Sequence, residues 1–255
     1  FGLAGWALSR FSGLWVGLKC VNETVEGTAT VDVDPARFSY VLPDIARPPG
    51  GLNVNPRPMV AREADEMLVV RHRIPAAQAW ARANAVDRAV VDGERRTLGI
   101  VTSGKAWMDV RQALAALGLD ETRARALGVR VYKVGMIWPL EPEGLREFAR
   151  GHHELLFVEE KAPFVEDQAA KILYHLAEGE RPRLTGKHDD RGEPLLPPDV
   201  QLDFATVAIA IARRLAALGL DDEALRSRVA LLERRVSRAR ETRPGPAART
   251  PYFCS

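Results

Sequence analysis

Cysteine is nearly absent from this sequence of 255 residues, which holds only Cys20 and Cys254, far apart along the chain. That excludes a disulfide framework and fits a reducing compartment, so the cytoplasm is the expected location. Long apolar runs are missing too. No uninterrupted stretch approaches the roughly 20 residues that cross a bilayer, and the opening Phe1-Gly2-Leu3-Ala4-Gly5-Trp6 lacks the charged start of a signal peptide. Charge of one sign is not in excess, since 36 Lys and Arg face 34 Asp and Glu for a formal net charge of +2. Neither a nucleic acid nor a membrane is therefore an expected partner. Neither the phosphate-cradling GxxxxGK[ST] nor the dinucleotide-binding GxGxxG occurs.

What is present is an alternation of strand and helix patterns over residues 97–180. Thr97-Leu98-Gly99-Ile100-Val101-Thr102 gives way at Ser103-Gly104-Lys105 to a helical pattern. Val129-Arg130-Val131-Tyr132-Lys133-Val134-Gly135-Met136 turns at Trp138-Pro139 into a helix from Glu141 to Phe148. Glu154-Leu155-Leu156-Phe157-Val158-Glu159 passes through Glu160-Lys161 into a helix from Phe164 to Tyr174. Such alternation predicts an α/β fold, a parallel sheet covered on both faces, with its site at the carboxyl ends of the strands.

The flanking regions read as helices and connectors. Phe11, Leu14, Trp15, Leu18, Val21 and Val25 recur at helical spacing beside a stripe of small residues, Ser9, Gly13, Gly17, Cys20 and Thr24. They predict one closely packed helix with a buried, inert Cys20, the last element of an upstream domain. Thr28 to Asp34 alternates with period two and predicts a strand. Pro43 to Pro58 holds too many breakers for a regular element, Ala61 to Arg71 predicts a short helix, and Pro75 opens another through Gln78, Trp80, Ala83 and Val86. After a polar, broken stretch from Pro182 to Pro198, a helix from Asp203 to Leu218 ends at Gly219. Asp221-Asp222 then caps a basic helix to about Glu241. Leu225, Val229, Leu232 and Val236 form its apolar stripe, and the opposite Arg-rich face reads as solvated. Thr242 to Thr250 has linker composition.

Chemistry-bearing residues are few. Ser103, Gly104 and Lys105 could hold an anion at a helix start, although a tight turn at Gly104 explains them better. Glu159, Glu160 and Lys161 hold the equivalent place after the third strand, where acids also favour the helix dipole. His152-His153-Glu154 lacks a third ligand at metal spacing and reads as a surface turn. Gly186-Lys187-His188-Asp189 lies in a loop where packing does not account for the polar residues. Trp138 could pack in a core or wall a neighbouring domain.

Several segments together resemble the indolepyruvate ferredoxin oxidoreductases in their long fused bacterial form. Gly5 to Cys20 resembles the helix closing their pyrimidine-binding domain. Gly99 to Ala106, Val134 to Leu140 and Val158 to Lys161 are similar to the next domain, related to the transketolase carboxyl-terminal domain. Gly186-Lys187, Gly192, Leu195-Leu196-Pro197 and Thr250 to Ser255 follow in the same order. The resemblance divides the chain into residues 1–34, the end of a pyrimidine-binding-like domain, 35–75, a connector, and 76–180, the transketolase C-terminal-like α/β domain. Residues 181–241 then form a loop plus helical segment, and 242–255 a linker into a thiamine diphosphate-binding domain.

The activity implied is oxidative decarboxylation of indolepyruvate or a similar aryl 2-oxo acid to an acyl-CoA, with ferredoxin as electron acceptor. The full-length parent would use thiamine diphosphate, Mg²⁺ and [4Fe-4S] clusters, work with ferredoxin and coenzyme A, and form a homodimer. In the family the glutamate that activates the thiamine ring and the GDG-type motif that holds Mg²⁺ lie to either side of this stretch. The fragment itself is expected to hold no cofactor and to be inactive, a scaffold and contact portion whose partners are other domains of the same polypeptide. Phe253-Cys254-Ser255 resembles the start of a CxxC run that ligates a cluster in related oxidoreductases, so Cys254 is a ligand only in the parent. Ser103, Gly104, Lys105, Trp138, Glu160, Lys161 and Lys187 are the expected interface residues. The alternative is an independent α/β module that binds a small anion at the same loops.

Overall fold

A computed structural model describes residues 2–53 and 62–241. Helix α1 (Gly2–Ser12) stops where Ser12 Oγ donates back to Leu8 O and Gly13 enters the left-handed region at φ +74°. The expected long helix therefore ends early. Beyond it the backbone is irregular apart from a single turn, α2 (Asn22–Val25), and Trp15, Leu18 and Cys20 are exposed. Cys20 is thus neither helical nor buried. Thr28 to Asp34 forms no strand, because alternation alone supplies no neighbouring ladder to accept its backbone hydrogen bonds. Asp34 instead caps a short 3₁₀ turn, Pro35–Phe38, by accepting from Ala36 N.

Residues 43–53 have no regular structure beyond turns, and the rest of the Pro-rich stretch, 54–58, lies outside the described residues, as do Thr242 to Ser255. The two helices expected after it are α3 (Arg62–Leu68) and α4 (Ile74–Ala83), joined without a break by a π turn over Val69–Arg73. The wider turn accommodates Pro75, which has no N–H for the preceding carbonyls. Arg73, buried, donates from Nε to Leu52 O at 2.6 Å, and Phe11, Leu52, Ala76 and Trp80 form a small core.

The main body is a five-stranded sheet ordered β1-β3-β2-β4-β5. Its strands are β1 (Arg88–Val91), β2 (Leu98–Ser103), β3 (Val129–Val134), β4 (Glu154–Val158) and β5 (Arg183–Thr185). β2 pairs in parallel with β3 and β4, β4 pairs in parallel with β5, and only the edge strand β1 runs antiparallel, against β3. The fold is α/β as expected, with the two short edge strands additional. β2 and β4 are buried on both faces, as central parallel strands must be.

Helices α5 (Ala106–Ala116) and α6 (Glu121–Leu127) follow β2, α7 (Pro142–Ala149) follows β3, and α8 (Phe164–Leu173) follows β4. The last two helices, α9 (Phe204–Ala217) and α10 (Glu223–Glu241), match the expected spans closely, capped by Asp203 and Asp222. One apolar core joins Ile100, Val131 and Leu156 to Val110 of α5, Ile211 of α9 and Leu225 of α10. The other joins Val101 and Phe157 to Leu145 and Phe148 of α7 and Val165 and Ala169 of α8. The sheet is therefore a filled middle layer, and α9 and α10 belong to its core.

In the His152-His153-Glu154 turn only His153 lies at the surface. Glu154 is wholly buried on β4, where Arg214 of α9 grips its two oxygens at 2.6 and 2.7 Å and reaches Asp190 at 2.8 Å. His152 is also buried, its ring 4.8 Å from that of Phe148. Burial, with the nearby Arg130 cation, pushes the His152 pKa down to about 4. Sequence spacing cannot show this, because the turn faces inward only once α7 and α9 are packed.

Candidate functional site at the carboxyl ends of the strands

The loops after β2, β3 and β4 lie at one end of the sheet, and the chain from Gly186 to Leu202 ties the first to the third. After β2, Gly104 makes the tight turn at φ +54°, and Lys105 leads into α5. Lys105 Nζ lies 3.0 Å from Asp109 Oδ2 and 3.2 Å from Glu160 Oε1, and donates to Leu202 O. Burial works against the Lys105 charge, but hydrogen bonds to Asp109 and Glu160 outweigh it and hold the pKa above its usual value. The ammonium therefore has hydrogen bonds to Glu160 and Leu202 O and an ion-pair partner in Asp109.

After β4 the acids are equally engaged. Glu159 accepts from Val165 N and Glu166 N at 2.8 and 2.9 Å, which caps α8 and satisfies the orphan amides of its first turn. The second oxygen of Glu160 accepts from Leu202 N at 3.1 Å. Lys161 is exposed, at φ +55°. Lys187 is 3% exposed and donates from Nζ to Glu159 O at 2.6 Å; burial lowers its pKa despite the facing carboxylates of Glu159, Glu166 and Glu160. Glu166 accepts from Lys187 N, and burial raises its pKa. Lys187 is therefore a tie between the Gly186 loop and β4.

The loop after β3 differs. Trp138, which precedes Pro139 through a cis peptide bond, is 57% exposed, with Ile137 and Phe164 exposed nearby. Gln168 fixes this surface by donating from Nε2 to Ile137 O and Phe164 O at 2.9 and 3.0 Å. From below, Asp87 Oδ1 accepts from Gly135 N and Met136 N at 2.7 and 2.9 Å. Burial lifts the Asp87 pKa to about 6, against the pull of those amides and with help from Glu141.

Of the residues singled out in the sequence, Gly104, Lys105, Glu160 and Lys187 are brought into one network, Ser103 sits half-buried at its edge, and Trp138 and Lys161 are exposed. Asp109, Gln168 and Asp87 were missed, whereas Glu159, read from the sequence as an acid favouring the helix start, does accept from the first-turn amides of α8. The Lys105–Asp109 spacing of i,i+4 on a helix was a usable signal; the others depend on tertiary contacts. The arrangement can lock loops and present an apolar surface. Among the described residues no group of three or more His, Cys, Asp or Glu could hold a metal ion, and Cys254 lies outside them. The described residues do not by themselves fit a thiamine diphosphate–Mg²⁺ site or an iron–sulfur cluster, since their carboxylates at this end are engaged and Cys20 is a single thiol.

No curated protein matches the sequence. A 2-oxoglutarate:ferredoxin oxidoreductase from Magnetococcus marinus, solved with 2-oxoglutarate, coenzyme A and succinyl-CoA bound, is 11% identical with a TM-score of 0.42. The match covers 72% of this chain and 28% of that one, so the chain spans under a third of its length. A split-gene transketolase, an inactive β4 tetramer, is 21% identical over 59% of this chain and 41% of its own, with a TM-score of 0.31. Residues 88–240, more than half of the chain and the whole five-stranded sheet with α9 and nearly all of α10, match the model of the indolepyruvate oxidoreductase domain. The chain therefore belongs to the family of indolepyruvate oxidoreductase domains.

Proposed function

We propose that this chain is the scaffold and contact portion of an enzyme that oxidatively decarboxylates indolepyruvate or a similar aryl 2-oxo acid to an acyl-CoA, with ferredoxin as acceptor. Thiamine diphosphate, Mg²⁺ and [4Fe-4S] clusters serve the full polypeptide, a cytoplasmic homodimer, while the chain alone turns over no substrate. Residues 1–34 close a pyrimidine-binding-like domain and 242–255 lead into the diphosphate-binding one. The observation that carries the contact role is the contrast at the strand ends. The charges of Lys105, Glu160 and Lys187 are consumed internally, whereas Ile137 and Trp138 remain exposed on a loop that Gln168 holds beside the exposed Phe164 of α8.

The test is Trp138→Ser in the full native polypeptide, followed by sedimentation velocity and by acyl-CoA formation from indolepyruvate. Weakened assembly with an unchanged melting temperature of the isolated chain supports the proposal. Unchanged assembly refutes it. The second reading, an anion module at these loops, requires a Lys105 charge that Asp109 and Glu160 already face, and phosphate binding lost in Lys105→Ala would revive it.

A further inference from the structure

The loop from Asp189 to Leu195, between β5 and α9, lies against the last turns of α9, and the two enclose a cleft of about 340 Å³. That volume falls at the lower end of the range for small-ligand sites. Neither Lys105 nor Trp138 lines it.

Arg214, 3% exposed, forms the inner wall of the cleft. Its Nε and Nη2 are taken by Glu154 and Asp190. Its Nη1, among the described residues, has only Asp189 Oδ2 at 3.9 Å, beyond hydrogen-bond reach. The other oxygen of Asp189 accepts from Arg191 N and Glu193 N at 2.8 and 3.0 Å, and these amides, that of Arg191 above all, hold the Asp189 pKa below the usual carboxylate value. A charged donor and a charged acceptor thus stand at the cleft with bonding capacity unused.

Three further charged side chains line the cleft, Arg191, Arg213 and Glu193, and all three are exposed. Among the described residues none of the three forms an ion pair or a side-chain hydrogen bond. Pro194, Leu195 and Ala217 supply the apolar part of the wall. A ligand with negative charge alone would meet the carboxylates of Asp189 and Glu193, and one with positive charge alone would meet the arginines. A zwitterion offers each set its counterpart.

We infer that this cleft binds a zwitterionic α-amino acid with an apolar side chain. The carboxylate pairs with Arg213, Arg191 and Nη1 of Arg214, since a guanidinium fork matches carboxylate geometry. The ammonium pairs with Glu193 and Asp189, and the side chain rests on Leu195, Pro194 and Ala217. The site does not depend on the contact role of Trp138.

L-Leucine and L-phenylalanine are the probes, titrated into the whole chain at neutral pH and low ionic strength by calorimetry. Saturable binding of at least one of them is expected, tenfold or more tighter than that of the matching amine (isopentylamine, phenethylamine) or the matching acid (isocaproate, hydrocinnamate). Arg213→Gln and Glu193→Gln should each weaken it at least fivefold, and because both side chains are exposed and unpaired, circular dichroism should be unchanged. No saturable binding of either amino acid overturns the site, as does unchanged affinity in either variant. An amine or acid that binds as tightly as its amino acid overturns the proposal equally, since one charged group would then suffice.

Discussion

Trp15 and Trp80 stand at opposite extremes of this molecule, the first 100% and the second 1% exposed. They represent two regions made of the same residue types. In the segment up to residue 53, Trp6, Trp15, Leu18, Val31, Val33 and Leu42 face outward. In the sheet domain even charged groups are enclosed, including Glu154, Arg214 and Lys187. The difference lies in partners: Ile100 and Leu156 have strands on either side and helices above, whereas Val31 and Val33 have no neighbouring strand. Apolar character supplies the drive to bury, but topology decides whether there is anything to bury against.

The comparison breaks most severely at Glu154. Its replacement by Ala removes the bidentate partner of buried Arg214 and leaves that charge to Asp190 alone, at a cost of about 3 kcal/mol read by urea denaturation, whereas pairing it with Arg214→Met restores much of that loss. His152 sharpens it through pH. Its folded pKa of about 4 lies below the ordinary 6.5, so it stabilises the fold above pH 6.5 and that contribution, on the order of 3 kcal/mol, is lost as pH falls toward 4. Asp87 acts in the opposite sense. Its pKa, raised to about 6, gives stability that is present below about pH 4 and lost as pH rises through 6. Stability measured from pH 4 to 7 should therefore fall less on acidification in His152→Phe and more in Asp87→Asn than in the unmodified chain.

Gly99→Ala tests packing at a central strand. A Cβ there would lie 2.5 Å from Leu155 Cδ2 and 2.9 Å from the Phe148 ring, and overpacking of this kind costs about 1–3 kcal/mol, visible as a lower melting temperature. Trp15→Ser, on the other side of the comparison, should change stability by no more than about 0.5 kcal/mol, and a larger loss would show that the exposed segment is packed in solution.

The central strands and the last two helices were legible because their signals are local. β2, β3 and β4 are continuous apolar runs, and Asp203 and Asp222 sit where caps belong. β1 and β5, with four and three residues, are too short to show a period, and they exist because an edge was available. The helix after Ser12 failed for the opposite reason, since its spacing was right but Gly13 turned left-handed and no core lay beneath Trp15. At the candidate site, the strand ends named in the sequence do converge. What could not be read was that Lys105 finds its acceptors in Glu160 and Leu202, 55 and 97 residues away.

The bidentate grip of Arg214 on Glu154 also sets an order of events. Glu154 lies on a central strand, yet its counterion arrives 60 residues later in the chain. Until α9 leaves the ribosome, β4 would enclose the Glu154 carboxylate with only the Thr185 hydroxyl and the distant Arg183 cation beside it, which favours late closure of the sheet during synthesis. A chain truncated near residue 200 would keep every strand and still fail to fold.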